Sequence, residues 1–157
     1  MKKKILILSL VFLVIDQISK ILVLNNFEQL NSIKIVNNLL YITFVKNEGA
    51  AFSILQGGRI VFIVLSLIVL FVMIMHIIKD KKIRKVEFVC YSLLLAGIVG
   101  NLIDRVIYGY VVDFIDMYFF GYDFPIFNVA DICIVFGAII FASTYMTKGE
   151  KDEINNC

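Results

Sequence analysis

Four long apolar runs, separated by polar segments, dominate the hydrophobic pattern of this 157-residue chain. The runs cover residues 5–24, 60–78, 86–103 and 129–146. Each is close to the roughly 20 residues with which an α-helix crosses the ~30 Å hydrocarbon core of a bilayer. The pattern therefore predicts a mainly α-helical membrane protein. Its four transmembrane helices form one bundle and one membrane domain over residues 1–157.

Composition and charge support this prediction and add an orientation. Hydrophobic residues make up 61% of the chain, and the mean hydropathy is +0.91, whereas soluble domains are about half apolar. Ten of the 15 Lys and Arg residues lie at the N-terminus, between the second and third runs, or in the C-terminal tail. By the positive-inside rule, both termini are cytoplasmic, and residues 25–59 and 104–128 lie outside.

The first outward segment has a different periodicity from the helices. In it, "SIKIVNNLLYITFVKN" contains two β-rich runs around Asn37 and Asn38, which are typical turn residues. A connection as long as 25–59 usually has structure of its own. We therefore predict a small extracytoplasmic β-sheet, followed by a short interfacial helix in "AAFSILQGG". The second outward segment is expected to be a loop rich in aromatic residues.

Two carboxylates flank that aromatic segment, and both lie near hydrocarbon. Asp113 precedes it, and Asp131 lies one turn inside the fourth run. Two such groups at a water-accessible membrane edge share one proton, so that one acts as a base on water and the other as an acid. Other interpretations remain open. Asp113 could be a solvated loop residue, as we expect for Asp116 and Asp123, and Asp131 a favourable charge at a helix N-terminus.

Several polar residues recur at helical spacing in the apolar runs. Asp16 and Lys20 are four residues apart, in the order that favours an ion pair, which indicates a retained helix rather than a cleaved signal peptide. Gly97, Asn101 and Arg105 lie on one face of the third helix. This face offers close helix approach and donors near the outer interface, or simply a packing stripe that ends in an arginine.

Two further motifs carry polar or small residues beside the outward segments. Asn128 lies three residues before Asp131, where it is either a helix N-cap or a partner in the same site. In "KNEGAAF", small residues leave the backbone open to a peptide, and Asn47 could orient an acid; a tight turn is the alternative. The three cysteines show no CxxC spacing, so neither a disulfide framework nor a zinc site is indicated.

The motifs "DQISK", "NEGAAF", "GNLIDR", "VVDF" and "FNVAD" occur in this order on a chain with four predicted spans. This set closely resembles the bacterial lipoprotein signal peptidases (signal peptidase II) over residues 5–146. The resemblance implies a membrane aspartyl endopeptidase of the bacterial cytoplasmic membrane with its active site at the outer leaflet. Such an enzyme removes the signal peptide from prolipoproteins, cutting before a cysteine that carries a diacylglyceryl group.

The resemblance also implies partners and site residues. The partners are the lipidated prolipoprotein and membrane lipid, without nucleic acid, cofactor or metal, and a monomer is expected. The catalytic pair is Asp113 and Asp131. The substrate-binding or dyad-supporting residues are Asp16, Lys20, Asn47, Gly49, Ala50, Asn101, Arg105 and Asn128.

Other functions fit parts of the pattern. A presenilin-type protease requires a GxGD motif, which this chain lacks. A small proton-coupled transporter would use Asp16, Asp113 and Asp131 as a relay, but most outward acids lie at one interface. A non-catalytic membrane scaffold would tolerate the replacement of either Asp113 or Asp131 by asparagine.

Overall fold

The computed structural model describes residues 1–49, 57–119 and 121–155 and, of their side chains, all but those at 123 and 145–155. Each predicted apolar run lies inside one helix. The predicted interfacial helix falls mostly outside the described residues. The elements in chain order are α1 (Lys2–Asn26), β1 (Ser32–Val36), β2 (Leu40–Asn47), α2 (Arg59–Lys79), α3 (Lys85–Ile107), β3 (Val111–Phe119), β4 (Tyr122–Asp123) and α4 (Val129–Asn155).

The helices are apolar on the faces that they turn away from one another. Of the 21 residues of α2, only Leu70 and Ile77 are buried, although nearly all are apolar. A helix that is apolar on all sides belongs in a protein core or a membrane. By length and composition α1, α2 and α3 are able to cross a membrane, and the described apolar part of α4, Val129–Thr144, is shorter. The chain is accordingly a multi-pass membrane protein.

Helix α3 is central and packs against each of the other three helices. Two glycines permit this close approach. A Cβ atom at Gly97 would lie 2.4 Å from the Ala130 carbonyl oxygen of α4, and one at Gly100 would lie 2.5 Å from the Asp16 carboxylate of α1. The prediction that Gly97 allows close helix approach is confirmed, since any larger residue there would push α4 away.

The predicted hairpin is present: β1 pairs antiparallel with β2, and Asn38 has the positive φ of 55° that a tight turn requires. The sheet continues in the order β1-β2-β3-β4. Its third strand comes from the second outward segment, more than 60 residues further along the chain. Between Ile42 and Val45, two residues of β2 lie opposite the single residue Phe114 of β3, which forms a β-bulge.

The expectation that the second outward segment is a loop is wrong for much of its length, because α3 continues to Ile107 and Val111–Phe119 forms strand β3. The first four residues of β3 are buried. Val112 and Phe114 are buried with Phe44 and Val23 in a cluster that joins the sheet to α1. This packing holds β3, which carries Asp113, against the C-terminal end of α1.

Candidate active site

Asn128 and Asp131 cap the start of α4 through reciprocal hydrogen bonds. The Asp131 backbone N–H donates to Asn128 Oδ1 at 3.0 Å, and the Asn128 backbone N–H donates to Asp131 Oδ2 at 3.1 Å. This reciprocal arrangement satisfies two of the backbone donors that a helix start leaves free. Asn128 is therefore an N-cap, and Asp131 keeps its second oxygen, Oδ1, for another partner.

Asp113 is held on β3 by two side-chain amides. Asn47 Nδ2 donates to its Oδ2 at 2.8 Å, and Asn128 Nδ2 donates to its Oδ1 at 2.7 Å. The Asp113 side chain is 2% exposed. Burial, followed by the negative charge of Asp131, raises the pKa of Asp113 to about 7, although both amide hydrogen bonds oppose the shift. Asp113 therefore holds a proton more tightly than a solvated aspartate does.

The two acids share one amide network. Asn128 contacts Asp113 through its side chain and Asp131 through the helix cap. Asn101 on α3 donates from Nδ2 to Asp131 Oδ1 at 2.7 Å and accepts from Asn128 Nδ2 at 3.2 Å. Two carboxylates that are distant in sequence therefore depend on the same pair of asparagines.

A buried ion cluster lies directly behind this network. The Lys20 ammonium is 3.0 Å from Asp16 Oδ2, 2.9 Å from Asp104 Oδ2 and 3.0 Å from Asn101 Oδ1. Its three hydrogens thus have three acceptors, and the side chain is 1% exposed. The predicted pair of Asp16 and Lys20 is confirmed. Since lysine only donates, it attracts the Asn101 oxygen and turns the Asn101 NH2 group towards Asp131.

The same cluster anchors the backbone immediately before each acid. Asp16 Oδ1 accepts from the Ala130 N–H at 2.8 Å, and Asp104 Oδ2 accepts from the Val112 N–H at 3.1 Å. Ala130 precedes Asp131, and Val112 precedes Asp113. The ion cluster therefore fixes the start of α4 and the start of β3 relative to each other.

Asn47, Gly49 and Arg105 lie on the other side of Asp113. Asn47 Oδ1 accepts from the Gly49 N–H at 3.0 Å, which forms a local side-chain turn and orients the Asn47 NH2 group towards Asp113. Arg105 donates to the Gly49 carbonyl at 3.3 Å and lies over the ring of Phe62. The predicted site residue Ala50 lies outside the described residues.

The two acids open onto one cavity of about 1030 Å³. Its polar wall includes both acids together with Asn47, Asn101 and Arg105. The rest of the lining is largely apolar and includes residues of α4 and the aromatic segment: Phe124, Pro125, Ile126, Phe127, Ile132, Ile134, Val135 and Phe136. An acid pair in a cavity with both polar and apolar lining is suited to hydrolysing a bond in an amphipathic substrate.

Comparison with known proteins gives the family. The family described as "Signal peptidase (SPase) II" matches residues 8–147. The chain belongs to the signal peptidase II family. The lipoprotein signal peptidases of Staphylococcus haemolyticus (strain JCSC1435) and Staphylococcus aureus are 41% and 40% identical to it. The alignments cover 94% of this chain in both cases, and 94% and 92% of the relatives.

Two solved structures of bacterial membrane enzymes, obtained by the in meso method, have the same fold. The first, at 2.3 Å resolution, has a TM-score of 0.88 and 35% identity, over 94% of this chain and 90% of the other. The second, at 1.9 Å resolution, has a TM-score of 0.82 and 37% identity, over 90% and 91%. As a member of the signal peptidase II family, the chain is a hydrolase, an aspartic endopeptidase of the membrane.

In this signal peptidase II, the sequence analysis did not identify Asp104 as a site residue, and it predicted the wrong exposure for Asp116. Asp104 follows Asn101 by three residues on α3, so helical spacing alone would have placed it on the same face. Asp116 was expected to be solvated; instead it is 4% exposed and accepts from the Thr43 hydroxyl at 2.6 Å. The error has the same source as the missing strand, since Asp116 is buried because β3 pairs with β2.

Proposed function

We propose that Asp113 and Asp131 form the catalytic dyad of an endopeptidase that removes signal peptides from diacylglyceryl-modified prolipoproteins. Cleavage occurs immediately before the cysteine that bears the lipid, and it needs no cofactor. The observation that carries this proposal is the shared Asn128, which contacts both acids at the wall of one cavity. Membership in the signal peptidase II family favours this function over the proton-coupled transporter.

The dyad works with one proton between its two carboxyl groups. The raised pKa of Asp113, about 7, favours a protonated carboxyl near neutral pH, while its partner acts as the base. The base removes a proton from water, which attacks the peptide carbonyl carbon, and the protonated acid gives its proton to the carbonyl oxygen. Collapse of the tetrahedral intermediate then transfers a proton to the departing amine.

The supporting residues divide into two groups in this proposal. The first group orients the dyad and comprises Asp16, Lys20, Asn47, Asn101 and Asn128. The second lies beside the substrate: Gly49 and Ala50 leave room for a peptide backbone, and the Arg105 guanidinium binds carbonyl or ester oxygens. Arg105 is suited to this role because it lines the cavity and is held by the Gly49 carbonyl.

The membrane arrangement follows from the distribution of charge. All four helices, α4 included, span the cytoplasmic membrane of a bacterium in one domain over residues 1–157, with both termini in the cytoplasm. The sheet, and an interfacial helix after it, lie at the outer surface, and the cavity opens to the outer leaflet. The enzyme acts as a monomer. Apolar cavity residues such as Val135 and Phe136, both more than half exposed, face the signal peptide and acyl chains.

Cleavage by the purified enzyme in detergent tests this function. The enzyme is incubated with a diacylglyceryl-modified prolipoprotein and with the same precursor unlipidated, and products are identified by mass spectrometry. We expect the lipidated precursor alone to be cut, with the lipid-bearing cysteine as the new N-terminus. Asp113→Asn and Asp131→Asn should each reduce the rate at least about thousandfold.

Asp80→Asn, on the loop between α2 and α3, serves as the matched control and should cut normally. If either dyad variant cuts at the wild-type rate, the dyad is wrong. If the unlipidated precursor is cut equally well, the requirement for lipid is wrong and the dyad stands.

Labelling with a membrane-impermeant maleimide tests the orientation. Lys34→Cys lies on β1 and Lys81→Cys on the loop between α2 and α3. In intact cells of a strain that expresses the otherwise cysteine-free protein, we expect only the former to be labelled. If only Lys81→Cys were labelled, the proposed orientation would be wrong and the opposite one correct.

A further inference from the structure

Asp116 is a third carboxylate on the wall of the active-site cavity, and it is buried. It lies on β3, three residues after Asp113. At ~3.3 Å per residue along a strand, the two are separated by about 10 Å. The mechanism proposed above does not use this residue.

A chain of hydroxyl groups holds one of the two Asp116 oxygens. The Thr43 hydroxyl is 2.6 Å from Asp116 Oδ2 and 2.8 Å from the Ser32 hydroxyl oxygen. Because Thr43 has one hydroxyl hydrogen and a carboxylate only accepts, Thr43 donates to Asp116, and Ser32 donates to Thr43. This chain crosses β1, β2 and β3 and fixes the orientation of the Asp116 carboxylate.

The other oxygen, Oδ1, is buried, and no donor among the residues that the structure describes reaches it. Native proteins rarely leave a buried acceptor in this state, because it loses its bonds to water and gains none in return. The Asp116 carboxylate is thus held in a fixed orientation on the cavity wall, and one of its oxygens has no donor among the described residues. Such an acceptor is suited to a donor that arrives with the substrate.

We infer that Asp116 is a substrate-binding residue whose Oδ1 accepts a backbone N–H of the precursor peptide about three residues from the scissile bond. The inference rests on the proposed function, because it takes Asp113 and Asp131 as the point of cleavage. Diacylglyceryl ester groups offer only acceptors, so the partner is the peptide rather than the lipid. Since Oδ1 is covered in this structure, binding includes a displacement of the neighbouring cavity wall.

Two variants separate binding from support of the sheet. Asp116→Asn keeps the size of the side chain, and Thr43 holds its remaining oxygen, so that an NH2 group replaces the free acceptor. We expect KM to rise about 10- to 100-fold with kcat within about threefold, since a charged acceptor is lost from binding. Thr43→Val removes the hydroxyl that orients Asp116 but keeps the acceptor, so it should raise KM by less than Asp116→Asn does.

If Asp116 only stabilises the sheet, a different result is expected. Both variants would then lower the unfolding temperature to a similar extent and leave KM unchanged, which would overturn the inference. A fixed water on Oδ1 would give the same unchanged KM.

A scan of the substrate covers the case in which Asp116→Asn fails to fold. Single backbone amides within four residues of the scissile bond are replaced by esters in a short lipidated precursor, one at a time. For the wild-type enzyme, one ester, about three residues from the scissile bond, should raise KM about tenfold, and esters at the other positions should change KM less than about twofold. If no ester affects wild type, the inference fails. If wild type cuts no lipidated precursor at all, the proposed function itself has failed.

Discussion

Two acid pairs lie next to each other in this protein, and they differ in what balances their charge. Asp16 and Asp104 share the ammonium group of Lys20 at 3.0 and 2.9 Å. Asp113 and Asp131 are bound by neutral amides, and in the described part of the chain no lysine or arginine forms an ion pair with either.

This difference separates a scaffold from a reaction centre. A carboxylate beside a cation keeps its charge and fixes the geometry around it, whereas a carboxyl group that is buried without a cation retains affinity for a proton. The raised pKa of Asp113 shows the second case. Asn101 joins the two regions, because it accepts from Lys20 and donates to Asp131. One pair therefore holds the other in position.

The largest effect on stability should come from removing the shared cation. Lys20→Met leaves two buried carboxylates without a counter-charge, so the unfolding free energy should fall by about 3–5 kcal/mol. Reaction of buried Cys90 and Cys133 with a thiol dye during heating reports unfolding, in a Cys157→Ser background. The exposed Lys46→Met is the control and should shift the transition only slightly. Equal shifts for both lysines would contradict the scaffold role.

Asn128→Ala should affect both function and stability, since Asn128 caps α4 and touches both acids. We expect the cleavage rate to fall about 100-fold and the unfolding free energy by about 2 kcal/mol, from the lost cap and the unpaired carboxyl group. Cleavage of the lipidated precursor and thermal unfolding measure these effects. Asn26→Ala, at the exposed end of α1, is the control. A variant as active as wild type would show that Asn128 does not position the dyad.

Two glycine substitutions distinguish the ion cluster from ordinary helix packing. Gly100→Ala places a methyl group 2.5 Å from Asp16 Oδ2, and Gly137→Ala places one 2.8 Å from Leu94. Overpacking of this kind costs about 1–3 kcal/mol. Both should lower the unfolding temperature, but only Gly100→Ala should also lower kcat per folded enzyme. If Gly137→Ala reduced kcat equally, the effect on rate would reflect general packing.

The last prediction is a pH dependence that belongs to the dyad. Folded Asp113 has a pKa of about 7, against about 3.9 when unfolded, so between these values the folded state binds more protons. This contribution to stability therefore decreases as pH rises from about 4 to about 7. Asp113→Asn should flatten the dependence of unfolding temperature on pH, whereas Glu28→Gln should not. The wild-type cleavage rate should also fall above about pH 7; an unchanged slope in Asp113→Asn would contradict the assignment.

Several elements could be predicted because their signal is contained in a short stretch of chain. The apolar runs are long enough to identify helices, Asn37 and Asn38 mark the hairpin, and the spacing of Asp16 and Lys20 predicts their ion pair. The motifs also identified the family correctly. Asp104 lay within reach of the same reasoning, by its spacing from Asn101.

Other features depend on segments that meet only in the folded chain. No local pattern shows that β3 pairs with β2, because the helices α2 and α3 must first bring these strands together. That pairing buries Asp116 against Thr43 and places Asp113 beside Asn47. The sequence by itself determined the helices, the hairpin and the residue types of the site. Tertiary structure alone decided that Lys20 also neutralises Asp104 and that Asp113 and Asp131 are left to amides, because burial and counter-charge depend on contacts between distant elements.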